Sequence, residues 1–250
     1  MSNIHKFNGF IKPKAVTKSV INNPLGYQYL AFLSIVYFCI MLFNAILTNC
    51  YVGSNKIFVL GGTLTSPFVF LIDNIIAEIY GFNITKNIII CSIVAQTIFV
   101  LLCQIILNLP HPDFFTNHHE FEHILGWSLV RIHASGCVAY LAAILFNTKV
   151  LTRWKVLLKG EKFWLRSLGS CAISEALYSF IAILLMEIQS IPLSNIFKVM
   201  ALSYSIKLTY NLILVLPAQH IINHIRNKTG IDVYDFNHKF IPSKYYNMGV

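Results

Sequence analysis

Five ionisable residues lie inside stretches that are otherwise lipid-soluble: Asp73, Glu78, Arg131, Glu175 and Lys207. A charge at the centre of a bilayer costs about 2.5–3.5 kcal/mol on insertion scales. A chain that carries several of them either pairs them inside a helix bundle or applies them to a polar solute. Pairing alone would join Asp73 to Lys207 and Glu175 to Arg131, and Glu78 and Arg131, near segment ends, could also snorkel to the interface. Three acids against two bases leave one carboxylate over, to be protonated or to meet a ligand's donors. Tyrosines and amides beside the charges suit a flat, hydrogen-bonding solute.

A second pattern competes. His119-Glu120-Phe121-Glu122-His123 fits HExxH, which on a helix sets two histidines on one face for zinc, with the glutamate as a protease's general base. It follows Pro110-His111-Pro112 in a polar loop and forms only a short lead into an apolar segment. No third ligand follows at a fixed spacing, although His111, Asp113 and His133 are nearby candidates. The expectation is a solvated loop, no bound metal, and an intramembrane zinc protease only as a remote alternative. His133 reads as a packed, hydrogen-bonded histidine. No G-x-x-x-x-G-K-[ST] loop is present, so the chain does not hydrolyse ATP by that device. The expectation is a non-enzyme without a cofactor.

The elements that hold these residues are membrane spans. Apolar residues make up 56% of 250 positions and charged ones 12%, against about 25% charged in soluble domains. Six segments reach the roughly 20 apolar residues a spanning helix needs, at about 28–51, 57–80, 84–109, 124–148, 164–188 and 195–223. The fold expected is an all-α integral membrane protein, a bundle of six transmembrane helices with both termini cytoplasmic. A basic N-terminal tail (1–27) and a polar C-terminal tail (224–250) flank the helical domain (28–223). The first apolar run is too long for a signal-peptide core and is expected to remain as an anchor. Most of the 19 Lys and Arg lie on one side, in both tails and in the loop from Lys149 to Arg166, which sets the orientation. That placement makes the net charge of +9 a topology signal and argues against nucleic acid as a partner. The six cysteines lie in or beside apolar runs with no CxxC pair, so no disulfide framework or sulfur-bound zinc is expected.

Within the helices the polar residues fall in stripes. Asn74 and Glu78 share a face, while Asp73 stacks with Ala77 and Tyr80. Pro67, upstream, kinks that helix. Ser203, Tyr204, Lys207, Tyr210 and Asn211 form an inward stripe in segment 6. Segment 5 adds Ser167, Ser170, Cys171, Ser174, Glu175 and Tyr178. Segment 4 adds Ser128, Arg131 and Ser135, and segment 1 adds Asn44, Thr48 and Asn49 near its end.

Laid out in order, these residues resemble the queuosine precursor transporter family, also called the vitamin uptake transporter family. Ser66-Pro67 through Asp73, continuing to Glu78-Ile79-Tyr80-Gly81, is similar to its P-x(5)-D-x(4)-E-x-Y-G signature. Arg131 with Ser135 and Tyr140, Arg166 with Ser170 and Glu175, Tyr204 with Lys207 and then Pro217, and Asn49 complete the resemblance. Glu175 stands where the family usually has aspartate. Ile144 and Asn147 stand where it usually has glutamine and aspartate. The resemblance implies a bacterial inner-membrane importer of 7-cyano-7-deazaguanine or 7-aminomethyl-7-deazaguanine. Another nucleobase or vitamin-like solute, or a binding module that needs a separate energising partner, are the alternatives. An oligomer stays open. On this reading Asn49, Asp73, Glu78, Arg131, Ser135, Glu175, Tyr204, Lys207 and Asn211 line the solute site. Asp73 or Glu175 would accept the N–H donors of a guanine-like edge, with Lys207 as its partner before the solute arrives.

Overall fold

The computed structural model describes residues 23–54, 57–112, 115–187 and 192–234. Helix α1 (Pro24–Leu47) opens at Asn23, whose side chain accepts the Gly26 N–H at 3.0 Å, with proline in the first turn. Next comes a feature the sequence reading lacked. Strands β1 (Tyr51–Gly53) and β2 (Phe58–Leu60) pair antiparallel, Tyr51 opposite Leu60. Aromatic and β-branched residues flank a Gly-Ser turn there, and Gly53 takes φ of 137°. The strands consume the residues expected to begin the second span, so helix α2 (Gly62–Tyr80) starts later than 57.

Helix α2 is the axis of the bundle. Its 19 residues just span a hydrocarbon core of about 30 Å. It has the lowest mean hydropathy of the six spans, 1.2, and 78% of its spanning window is buried. Helix α3 (Phe82–Leu107) is the opposite case, with hydropathy 2.5 and 22% buried. It turns only Thr85, Ile89, Ser92, Gln96 and Val100 inward, a three-and-four spacing, and exposes Ile98, Leu102, Ile105 and Ile106. Polar axis and apolar perimeter are the arrangement a lipid surround imposes.

The HExxH residues form a separate exposed helix, α4 (His118–Leu125), ahead of α5 (Trp127–Leu157). Helix α5 runs nine residues past the expected end of its span, taking Lys149, Arg153 and Lys155 out of the predicted loop. Helix α6 (Phe163–Glu187) returns antiparallel, with Gly169 held flat against the Trp154 ring. Helix α7 (Leu193–Thr229) has 37 residues, contains Pro217 and ends at Gly230, φ 68°. Residues 231–234 then fold back on the bundle, where Val233 N–H donates to the Ile79 carbonyl at 3.0 Å. The bundle thus extends a few residues beyond 28–223 at both ends. Most of the expected tails, 1–22 and 235–250, lies outside the described residues. The six long helices agree with the expected fold class. The hairpin and α4 mark one end of the bundle; the start of α1 at Asn23 and the 230–234 segment mark the other.

Candidate functional site

The terminal end is closed by charge. Arg166 grips Glu78 with a two-pronged fork, Nη1 to Oε2 at 2.8 Å and Nη2 to Oε1 at 2.9 Å. Arg226 Nη2 adds 2.6 Å to Oε1 and reaches Asp232 at 2.8 Å. Lys155 Nζ lies 4.0 Å from Glu78 Oε1, donates to the Glu78 carbonyl and to Asp232 Oδ1 at 2.5 Å each, and sits 4.4 Å over the Tyr234 ring. Glu78, Arg166 and Lys155 are buried to within 1%. Burial and the Asp232 carboxylate push the Tyr234 phenol up to about 12. The interface reading of Glu78 therefore gives way. Four elements converge on it, and Gly81, in a backbone state favouring glycine (φ 83°), ends α2 directly below.

The hairpin half holds a cavity. A cavity of about 40 Å³, set in a cleft of about 480 Å³ that counts open space at its mouth, lies between α1, α2, α3, α5 and α6. Its aromatic wall is Phe70, Tyr140 and Tyr178, mutually edge-to-face at 6.1, 6.1 and 6.3 Å. Its polar wall is Asn44, Ser66, Gln96 and His133. Gln96 is fixed by the Met41 carbonyl (3.1 Å), and His133 Nε2 shares a hydrogen bond with Thr97 Oγ1 (2.8 Å). Asn44 accepts from Thr65 at 2.7 Å and is also bonded to Tyr178. Ser66 Oγ is buried with no partner among the described residues. A second lobe of about 260 Å³ shares Thr48, Tyr178 and Met186 with the first and ends on Lys207.

Beyond the cavity floor lies a polar layer. Lys207 donates to Ser179 at 3.0 Å and stands 4.6 Å over the Tyr178 ring. One turn on, Asn211 donates to Glu175 at 3.0 Å. The matching four-residue steps 175–179 and 207–211 let the antiparallel α6 and α7 exchange both contacts. The cation acting on Glu175 is Lys207, not Arg131. Asp73 is held not by Lys207 but by Thr148 (2.9 Å) and Asn147 (3.3 Å). Asn147 also donates to Asn74, which donates to Ser167 and Cys171. Both pairings expected from the sequence are thus replaced.

Of the nine candidates, Lys207 alone is in the walls of either lobe. Glu175 and Asn211 sit directly behind it. Asp73 lies past the floor and Glu78 in the terminal cluster. Asn49 ties the end of α1 to the Ile124 carbonyl at 3.0 Å. Arg131 is at the hairpin end, where its charge acts on Tyr51; that phenol is raised above its ordinary value by burial and by its bond to Glu187 at 2.8 Å. Ser135 is buried within α5 and Tyr204 half-buried on α7. Sequence reasoning did not join Arg166 to Glu78 and counted Lys155 and Arg226 as loop and tail charges. Lys155 lies seven residues past the span end expected at 148 and two before the end of α5, a position where a buried lysine and a topology lysine look alike in sequence. Among the described residues, no group of three or more His, Cys, Asp or Glu is placed to hold a metal ion.

Six membrane-length helices around a polar, aromatic chamber sealed at one end define a multi-pass membrane protein built for a small solute. The chain belongs to the family described as "putative vitamin uptake transporter", which it matches over residues 60–222, from the second strand almost to the end of α7. No curated protein and no solved structure matches it.

Proposed function

We propose that the protein imports a queuosine precursor, 7-cyano-7-deazaguanine or its 7-aminomethyl form, across a bacterial inner membrane with both termini in the cytoplasm. The observation that carries this reading is the cavity wall. Three aromatic rings within one contact of each other offer faces and edges to a planar bicycle. Around them Asn44, Ser66, Gln96 and His133 supply donors and acceptors, Ser66 with its hydroxyl still unengaged. Lys207, over Tyr178, is suited to the base carbonyl, with Glu175 and Asn211 behind it to meet the N–H edge once Lys207 moves. An exchange of one polar partner for another keeps the desolvation cost of a buried charge tolerable. The lysines and arginines of the terminal end support the orientation.

Counterflow in proteoliposomes tests the reading. Vesicles preloaded with unlabelled 7-cyano-7-deazaguanine should take up the labelled compound, and adenine should compete poorly. No counterflow by the purified chain refutes transport by this protein alone; equal competition by unrelated vitamins refutes the deazaguanine assignment.

A further inference from the structure

Two oxygens in the polar layer are unexplained by the packing around them. Asp73 Oδ1 and Asn147 Oδ1 are each buried with no hydrogen-bond partner among the described residues. Their partners' donors are already committed. Asn147 Nδ2 gives its two protons to Asp73 Oδ2 and to Asn74 Oδ1, the latter at 2.7 Å. Asn74 Nδ2 is used on Ser167 and Cys171. The single Thr148 hydroxyl proton is shared between Asp73 and the Ile144 carbonyl, both at 2.9 Å. Flipping the Asn147 amide does not help, because it would set oxygen against both Asn74 Oδ1 and Asp73 Oδ2.

An ionised Asp73 would thus keep a bare oxygen at 0% exposure, the arrangement that burial penalises most. One added proton removes both orphans. With the amide N–H of Asn147 already on Asp73 Oδ2, a proton on Asp73 Oδ1 donated to Asn147 Oδ1 would complete a cyclic acid–amide pair. Among the described residues, no cation is engaged with Asp73. The titratable groups facing Asp73 are Tyr37 on α1, Tyr140 on α5 and Cys171 on α6. The charge of α7, Lys207, is engaged with Ser179 and Glu175; Lys86, the charge of α3, is exposed; Glu78 on α2 is taken by Arg166. Tyr140 lines the cavity and is hydrogen-bonded to Tyr37, and the charge of Asp73 acts on both phenols.

We infer that Asp73 is a proton-binding site, holding one proton between its carboxyl group and Asn147 while the cavity is open, and that this proton drives solute accumulation. The second half rests on the transport reading above. The carboxylate takes the proton from hydronium on the cavity side, leaving water, and gives it to water on the other side as hydronium; only these O–H bonds are broken and made.

Infrared difference spectroscopy on the full chain at neutral pH tests the site without any solute. A protonated-carboxyl C=O band should be present, vanish in Asp73→Asn, and shift in Asn147→Leu, where the acid keeps its proton but loses its acceptor. No such band, one unchanged in Asp73→Asn, or one that sodium removes at constant pH, overturns the assignment. Proteoliposomes test the coupling. Wild type should accumulate labelled 7-cyano-7-deazaguanine only with the lumen alkaline, and Asp73→Asn should lose that accumulation while retaining counterflow. Equal accumulation with and without the gradient overturns coupling. Missing wild-type counterflow overturns the transport reading instead, and the infrared band decides the proton site on its own.

Discussion

Removing the Glu78 carboxylate should be among the most damaging single changes in the chain. Glu78→Ala strips the acid from Arg166 (0% exposed) and leaves Lys155 (1%) and Arg226 to share Asp232, itself 34% exposed. Breaking a buried ion pair by deleting one partner costs about 3–5 kcal/mol, because the other charge stays buried and uncompensated. At about 2–4 °C per kcal/mol for a chain of this length, Tm should fall by roughly 6–20 °C. The mechanism has its own signature. If the cost comes from orphaned cations, removing Arg166 as well should return part of it. The Glu78→Ala/Arg166→Leu double variant should be more stable than the sum of the singles by about 0.5–3 kcal/mol. The assay is thermal unfolding in detergent, followed by circular dichroism for all four members of the cycle. A Glu78→Ala loss of under 2 °C, about 0.5–1 kcal/mol, or strict additivity in the double variant, would refute the reasoning.

Three further outcomes follow from local geometry. Tyr178→Phe keeps the ring against Phe70 and Tyr140 and should leave the uptake KM near wild type, whereas Tyr178→Ala removes the stack and should raise it; equal KM values for the two would show that the ring is not part of the solute site. A side chain at Gly169 would begin 2.6 Å from the Trp154 ring, so Gly169→Val should cost about 1–3 kcal/mol by overpacking and Trp154→Leu should rescue it, both read as Tm. Because the folded Tyr234 phenol is raised to about 12 from about 10 unfolded, its contribution is complete below the lower value and drains as pH rises towards the upper. Tyr234→Phe should accordingly flatten the alkaline limb of a stability–pH curve; a limb identical to that of wild type would contradict it.

The spans were legible because their signal is bulk composition, which needs no partner. What escaped was everything that depends on where two distant segments meet. The Tyr51–Leu60 hairpin was hidden because its apolar residues count equally toward a span and toward a strand. Asn147 looked like a lost acid; in the structure it is the amide that binds Asp73, so its role depends on a residue 74 positions away. The cavity wall was partly in view, since Tyr178, Asn44 and Thr48 stood out as polar residues in apolar helices. Phe70 was invisible, because an aromatic in a membrane span is unremarkable until its neighbours are known. Glu78 shows the limit best. Nearness to a helix end suggested an interfacial acid, yet 230–234 and the long α5 extend the protein beyond that end and enclose it.

Helix α2 also sets a problem of timing in biosynthesis. It is the least hydropathic span, and it carries two acids, each costing up to about 3.5 kcal/mol at a bilayer centre. Arg166, which neutralises Glu78, is made 88 residues later, and Arg226 148 residues later. At about 5–20 residues per second, those delays are roughly 4–18 s and 7–30 s. Until Arg166 and Arg226 are made, neither arginine is available to neutralise Glu78. The charge cluster around Glu78 is therefore complete only when the last helix has been made. The ribosome thus completes the centre of this bundle last, although it makes that helix second.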